Sequence, residues 1–375
     1  MKVLNGWRQL VCTALLAGCS QASWASEFHD PDDGAFDVSD FLLNHKGALP
    51  VPTVITEPAV GYGGGLMLMY FDQSIAESAA ESIKESGRPQ PPNITGLGGM
   101  MTENGTWGAG AVHFHTWDGD RYRYLGAVGK GSFNLDFYDR KNQPHSYTLD
   151  GTALVQQLLA RIGDSHWYAG ARYVYFSGTS QFKGKYAEAA GLEPQDRRIG
   201  KGGLVVDYES RDNFFFPKSG SYAELQAQAA RGWLGSTQDF ETYDAKGYHW
   251  MPLSKAWVLG ARVQGQAARG DVPFYALPYV DLRGVSRGRY QDETTLVGEL
   301  EARWDISSRW SLLAFGGAGK AWGKWNDYGE AANVYSYGAG FRYLIARKLG
   351  LAVGMDIARG PDEGAFYFQV GSAWR

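Results

Sequence analysis

The feature that most constrains this chain is a two-residue alternation that recurs along it and loads one face with charge. Residues 294–306 place Glu299, Glu301 and Arg303 on one face, with Leu300, Ala302 and Trp304 opposite. Residues 255–267 set Arg262, Gln264 and Gln266 against Trp257, Leu259, Ala261 and Val263. In 219–231, Tyr222, Glu224, Gln226 and Gln228 oppose Ala223, Leu225, Ala227 and Ala229. A period of two is that of a strand. A soluble core cannot use a charged face of this kind, whereas a water-filled barrel lumen can, with the apolar face turned to lipid.

Composition agrees. The 375 residues are 44% hydrophobic, yet no apolar run reaches the roughly 18 residues of a membrane helix. Abundant Gly (50) with 13 Trp, 22 Tyr and 18 Phe suits many short strands with aromatic rings at membrane interfaces. Strands are predicted over 60–72, 93–102, 106–118, 121–134, 146–162, 165–176, 200–209 and 219–231. Seven more follow over 238–252, 255–267, 294–306, 309–322, 335–346, 349–359 and 365–374. Short turns at 163–165 and 307–309 alternate with longer loops at 177–199, 268–293 and 323–334, the asymmetry of periplasmic turns and outer loops. Fifteen is odd where bacterial barrels are even. One further strand is therefore expected between Leu49 and Thr106. The fold class is an all-β transmembrane antiparallel barrel of sixteen strands, with fourteen as the fallback. Closure is required because hydrocarbon cannot satisfy open strand edges. Ser74–Lys84, inside the 73–92 connection, is the convincing helical stretch.

The first 25 residues read as a signal peptide: Lys2 and Arg8, then the short apolar region 10–18, then Ser23-Trp24-Ala25. Leu16-Ala17-Gly18-Cys19 is a competing lipoprotein site. Residues 26–57 form a short periplasmic segment on this reading, and 58–375 the barrel. A net charge of -4 gives no case for nucleic acid. No cofactor fingerprint or metal-ligand set stands out, and the chain is read as a non-enzyme of the outer membrane.

Leu282-Arg283-Gly284, then Arg287-Gly288-Arg289-Tyr290, then Glu301-Ala302-Arg303 resemble the bacterial surface antigen superfamily of outer-membrane barrels. That family includes barrel-assembly and translocation-assembly proteins and two-partner secretion transporters. The resemblance implies that the loop folds back into the lumen and that Arg283 pairs with carboxylates on the wall, Glu299 and Glu301 being the candidates beside Arg303. It makes 207–220, with Arg211, Asp212, Pro217 and Gly220, the family's periplasmic turn. Phe366, Phe368, Val370 and Trp374 become one lipid-facing side of a C-terminal strand read by the assembly machinery, with Arg375 an addition. About thirty residues before the barrel cannot hold the polypeptide-transport-associated domains of larger relatives. The implied function is transport or translocation across the outer membrane, or assembly of components into it, gated by the Arg283 loop. The alternative is an insertase-like helper working with a periplasmic partner. Implied partners are outer-membrane lipids including lipopolysaccharide, and the barrel-assembly machinery during insertion.

Two positions depart from the family pattern. Val285 stands where an aromatic is expected, and Tyr290 is the candidate to supply the ring. The wall aspartate falls on Gly317, which leaves Arg283 one anchor fewer and predicts a loosely held loop. Gly284-Val285-Ser286-Arg287-Gly288 matches a nucleophile elbow formally, so a hydrolase using Ser286 is a remote reading, but a strand follows instead of a helix. His113 and His115 share a face and are read as lumenal polar residues. Arg121 and Arg123 are read as inward, opposite Tyr122 and Tyr124.

Overall fold

The structure, a computed structural model, describes residues 28–86, 91–139 and 143–374. The signal-peptide and Cys19 readings lie outside these residues, as does Arg375. Sixteen strands form one antiparallel sheet in which each pairs with its sequence neighbours. They are β1 Gly47–Ile55, β2 Gly63–Phe71, β3 Ile94–Thr102, β4 Trp107–Trp117, β5 Tyr122–Tyr138 and β6 Pro144–Arg161. Then come β7 Trp167–Phe182, β8 Gln195–Glu209, β9 Gly220–Ala230, β10 Phe240–Pro252 and β11 Trp257–Gly270. The last five are β12 Thr294–Asp305, β13 Trp310–Trp322, β14 Val334–Ala346, β15 Leu351–Arg359 and β16 Gly364–Val370. Helices α1 (Ser39–Asn44), α2 (Ile75–Ser86) and α3 (Gly184–Ala190) lie outside the wall.

The sixteenth strand is β1. It begins at Gly47, so the barrel opens within the 26–57 stretch assigned above to a periplasmic segment, and the boundary moves from 58 to 47. Pro50 and Pro52 hid it: proline has no N–H for a ladder and is confined to strand edges. Edge is what β1 is, since among the described residues no ladder joins it to β16. The sheet is thus nearly closed, with a seam bridged by contacts such as the stack of Tyr62 on Phe366 at 5.4 Å. The missing strand precedes β2, so the 72–93 connection and α2 stay at the turn end of the barrel, the end at which β16 finishes.

Strand parity separates the two faces. Leu296, Leu300 and Trp304 point outward and are exposed, while Glu299, Glu301 and Arg303 point inward and are buried. Arg123 also points inward, held by Asp120 and Tyr168. His113 and His115 do not. They stack at 5.7 Å on the outward face, with Thr95 against His113. Trp107 and Trp117, exposed on the same strand and of the same parity, are the signal for that face.

Candidate functional site

The 271–293 loop between β11 and β12 turns back into the barrel. Val280, Leu282 and Val285 pack with Val297, Ala321 and Val334 in a buried apolar cluster, against which Tyr290 rests. Burial of these side chains on the wall is what draws a loop of this length inward. Gly284 sits at the tip with φ +84°, and a Cβ there would come within 2.9 Å of the Gly360 nitrogen. Only glycine takes that conformation in that space without strain. The Gly284 amide donates to the Tyr367 hydroxyl at 2.8 Å, and the Ser286 amide donates to Glu363 at 3.1 Å.

Arg283 is thereby driven onto the wall of β12–β15, where it is 8% exposed. Its Nε donates to Glu299 Oε1 at 2.8 Å and Nη1 to Asp356 Oδ2 at 3.0 Å, while Nη2 also meets Glu299. Nη1 lies 2.9 Å from Glu301 Oε2, an ion pair out of line for a hydrogen bond. The guanidinium stands 3.4 Å from the centroid of the Phe315 ring. Two further arginines balance the three buried carboxylates. Arg342 forks onto Asp356 at 2.6 and 2.9 Å, and Arg262 lies 3.7 Å from Glu299 while donating to Asp281 at 2.7 Å. Buried charge of this density is tolerable only when paired and hydrogen-bonded.

The loosely held loop expected from Gly317 is not what the geometry gives. Leu282 takes the space of the absent aspartate, since a Cβ on Gly317 would come within 2.7 Å of Leu282 Cδ2. Asp356, two strands on, supplies the carboxylate instead, and Phe315 lies against the guanidinium with its ring. Gly317→Asp is therefore expected to destabilise the barrel by about 1–3 kcal/mol through overpacking. It would also set a fourth carboxylate in a balanced cluster. The measurement is the heating midpoint at which the folded band is lost on a denaturing gel. An unchanged or higher midpoint would show that Leu282 yields.

The remaining candidate residues fall at both ends of the site. Arg287 approaches Glu57 at 3.6 Å, and Arg289 pairs with Asp362 at 2.7 Å, which also accepts from the Tyr290 hydroxyl. Gly288 makes a second left-handed turn at φ +81°. At the turn end, the 210–219 segment reaches across the mouth. Asp212 accepts the Lys218 and Ser219 amides, Arg211 pairs with Glu209, and Gly220 restarts the strand at φ +97°. Pro217 O accepts from Arg303 at 3.0 Å, and Phe215 O accepts the Ser372 amide at 2.6 Å.

The C-terminus departs from its expected place. Phe366, Phe368 and Val370 do face outward, but β16 ends at Val370 and Gly371 turns the chain with φ +79°. Trp374 then enters the lumen, 3% exposed, rather than joining the lipid face. It packs on Trp250 at 5.8 Å and Tyr248 at 6.2 Å, and its Nε1 donates to Glu299 Oε1 at 3.2 Å. Strict alternation carried past the strand's end caused the misplacement.

A second ionic cluster lies at the turn end. Arg309, between β12 and β13, pairs with Asp30 at 2.6 Å, with Asp33 at 2.7 Å and with Asp37. Arg347 pairs with Asp30 at 2.7 Å and with Asp32, and Lys348 with Asp40 at 2.5 Å. These acids precede β1, so the cluster clasps the chain entering one side of the seam to turns on the other. In the sequence Asp30-Pro31-Asp32-Asp33-Gly34 carries only the signature of a turn. Hydrogen bonds from Arg309 hold Asp33 down at about 2. Burial raises Asp37, yet hydrogen bonds from Ser39 and Arg309 outweigh it and leave its pKa lowered. Depressed carboxylates contribute stability that is full above their ordinary values and lost as pH falls through the folded ones. The clasp should therefore hold down to about pH 4 and release toward about pH 2. Arg309→Glu should raise the rate of proteolysis within 28–46 about tenfold at neutral pH, the equivalent of one charged hydrogen bond. A rate equal to wild type would mean the segment is held by its apolar contacts.

Comparison with known proteins settles the family. A family model of the Omp85 superfamily domain matches residues 115–374. The chain belongs to the Omp85 superfamily, the outer-membrane barrels reached above as bacterial surface antigens. No curated protein matches it. Among solved structures, BamA from Haemophilus ducreyi lacking POTRA domains 1-3 is similar, with TM-score 0.60 and 12% identity over 87% of this chain and 70% of that one. CdiB from Escherichia coli gives 0.60 at 9% identity over 86% of this chain and 61% of that one. CdiB from Acinetobacter baumannii gives 0.57 at 11%, over 86% and 59%. At such identities these likenesses establish the Omp85 barrel fold.

Proposed function

We propose that this Omp85 barrel is a passage through the outer membrane, serving transport or assembly, that is shut at rest by the loop carrying Arg283. The observation that carries the reading is the three-carboxylate seat of Arg283. It fixes the loop on the β12–β15 wall, and Phe274 against Tyr147 and Phe182 carries the same loop over to β6 and β7. Charge pairs of this kind are reversible, as a gate must be. On this reading the turn end is periplasmic, the leader 1–25 is cleaved, and Ser286 is a structural residue held through its amide. The loop continues into a strand and offers no elbow. An insertase-like role with a periplasmic partner is the second reading, favoured by the seam at which proline-bearing β1 meets β16 without a ladder. Single-channel conductance in a planar bilayer tests the gate. Wild type should be closed or small, and Arg283→Ala larger or unstable. Equal, silent traces would sink the gate and favour the seam, to be followed by assays of barrel insertion into liposomes.

A further inference from the structure

The two halves of the inner wall differ in chemistry and in what covers them. From β8 to β16 the wall carries the charges described above, and the loop, the 210–219 turn and the C-terminus lie against it, while Phe274 and Tyr275 of the loop cap only the loop end of β5–β7 at Phe137, Tyr147, Phe176 and Phe182. From β1 to β7 a broad band of it is apolar, with Arg123, Gln157 and Arg172 as the inward polar groups on its turn-end side. One row of paired inward residues runs Leu49, Met69, Val112, Ala127, Val155 and Val174, through Gly96, and ends on Lys201. All six are half-buried, as side chains bordering open lumen are. In the adjacent row Gly98, Gly110 and Gly129 pair in succession and leave bare backbone, which widens the trough. Barrel lumens are ordinarily polar, and an apolar wall facing water is unfavourable unless something lies on it.

What lies there is constrained at both ends. The row starts at the β1 edge, the seam where no ladder to β16 seals the wall from the surrounding hydrocarbon. It finishes at Lys201, whose ammonium makes no ion pair among the described residues. Beside it, Arg172 is already bonded to Gln157 and Glu224. Eight strands spaced roughly 4.8 Å apart make the row about 34 Å long, room for an extended acyl chain and a headgroup. A polypeptide on this wall would leave backbone polar groups without partners, and a sugar or an ion would gain nothing from it. We propose that the lumen seats a membrane phospholipid, its acyl chain along the β1–β7 trough and its phosphate at Lys201.

The proposal goes beyond the gated passage and does not need the gate to open. The test uses the full mature protein in vesicles containing phosphatidylglycerol with a photoreactive diazirine in its acyl chain, with adducts mapped by mass spectrometry. Labelling is expected at inward Val112, Val155 and Val174 as well as at outward Val128 and Leu158. Lys201→Glu should cut the inward labelling about fivefold or more and leave the outward unchanged. Should that variant not fold, diacylglycerol bearing the same probe on wild type should label the inward valines correspondingly less. Labelling confined to outward residues, or inward labelling indifferent to both charge and headgroup, would overturn the proposal. So would a photoreactive residue at Val155 that captures polypeptide in cells instead of lipid.

Discussion

Arg283→Ala is expected to lower the heating midpoint of the folded barrel on the order of 10 °C, the largest effect of any single substitution here. Glu301 has Arg283 as its ion-pair partner, and Glu299 and Asp356 would keep Arg262 and Arg342. Removal turns a balanced set of three carboxylates and three guanidinium groups into one with a buried negative charge to spare. Breaking a buried pair from one side costs about 3–5 kcal/mol, and each kcal/mol moves a domain of this size by about 2–4 °C. The gel-mobility midpoint measures it. Arg283→Lys should recover only part of the loss, because an ammonium cannot fork between Glu299 and Asp356 or lie flat against Phe315. A midpoint within a degree or two of wild type for Arg283→Ala would mean that the apolar cluster around Leu282 and Val285 holds the loop unaided.

Much of this was legible in the chain, and the reasons the rest was not are physical. Alternation specified fifteen strands and most of their faces, β4 with His113 and His115 excepted, because lipid outside and a lined lumen inside impose opposite chemistry at every second residue. It failed for β1, where Pro50 and Pro52 look like linker and are tolerated because that edge lacks a second partner. Glu299 and Glu301 were within reach of a local reading because they follow the loop directly. Asp356 and Arg342 were not, although each is a charge on the inward parity of an otherwise apolar strand. Pairing them with Arg283 needs the closure of the sheet, which brings residue 356 to residue 283. Gly317 misled in the same way: a missing carboxylate reads as a missing anchor until Leu282 is seen in its place.

Trp374→Ala is expected to have the second-largest effect, and it separates two roles that the C-terminus could play. Phe368, 43% exposed on the outward face, and Trp374, 3% exposed in the lumen, lie six residues apart but in different solvents. Deleting a buried tryptophan costs about 3–5 kcal/mol through lost packing, here against Tyr248 and Trp250. The hydrogen bond to Glu299 Oε1 is lost as well, on the same atom that accepts Arg283 Nε. The variant should reach the membrane in wild-type amounts yet melt early, whereas Phe368→Ala should change its amount and leave the midpoint nearly intact. Trp374→Phe, which keeps a ring and drops the donor, should fall between wild type and alanine. Because Trp374 and Arg283 share one acceptor, their effects should not add. The double variant is expected to lose less than the sum of the single losses, by about 0.5–3 kcal/mol, as for groups in one hydrogen-bonded network. Strict additivity would show that the C-terminus is packed into the lumen independently of the loop. Equal loss of membrane abundance in Trp374→Ala and Phe368→Ala would return Trp374 to the outward, assembly-read face.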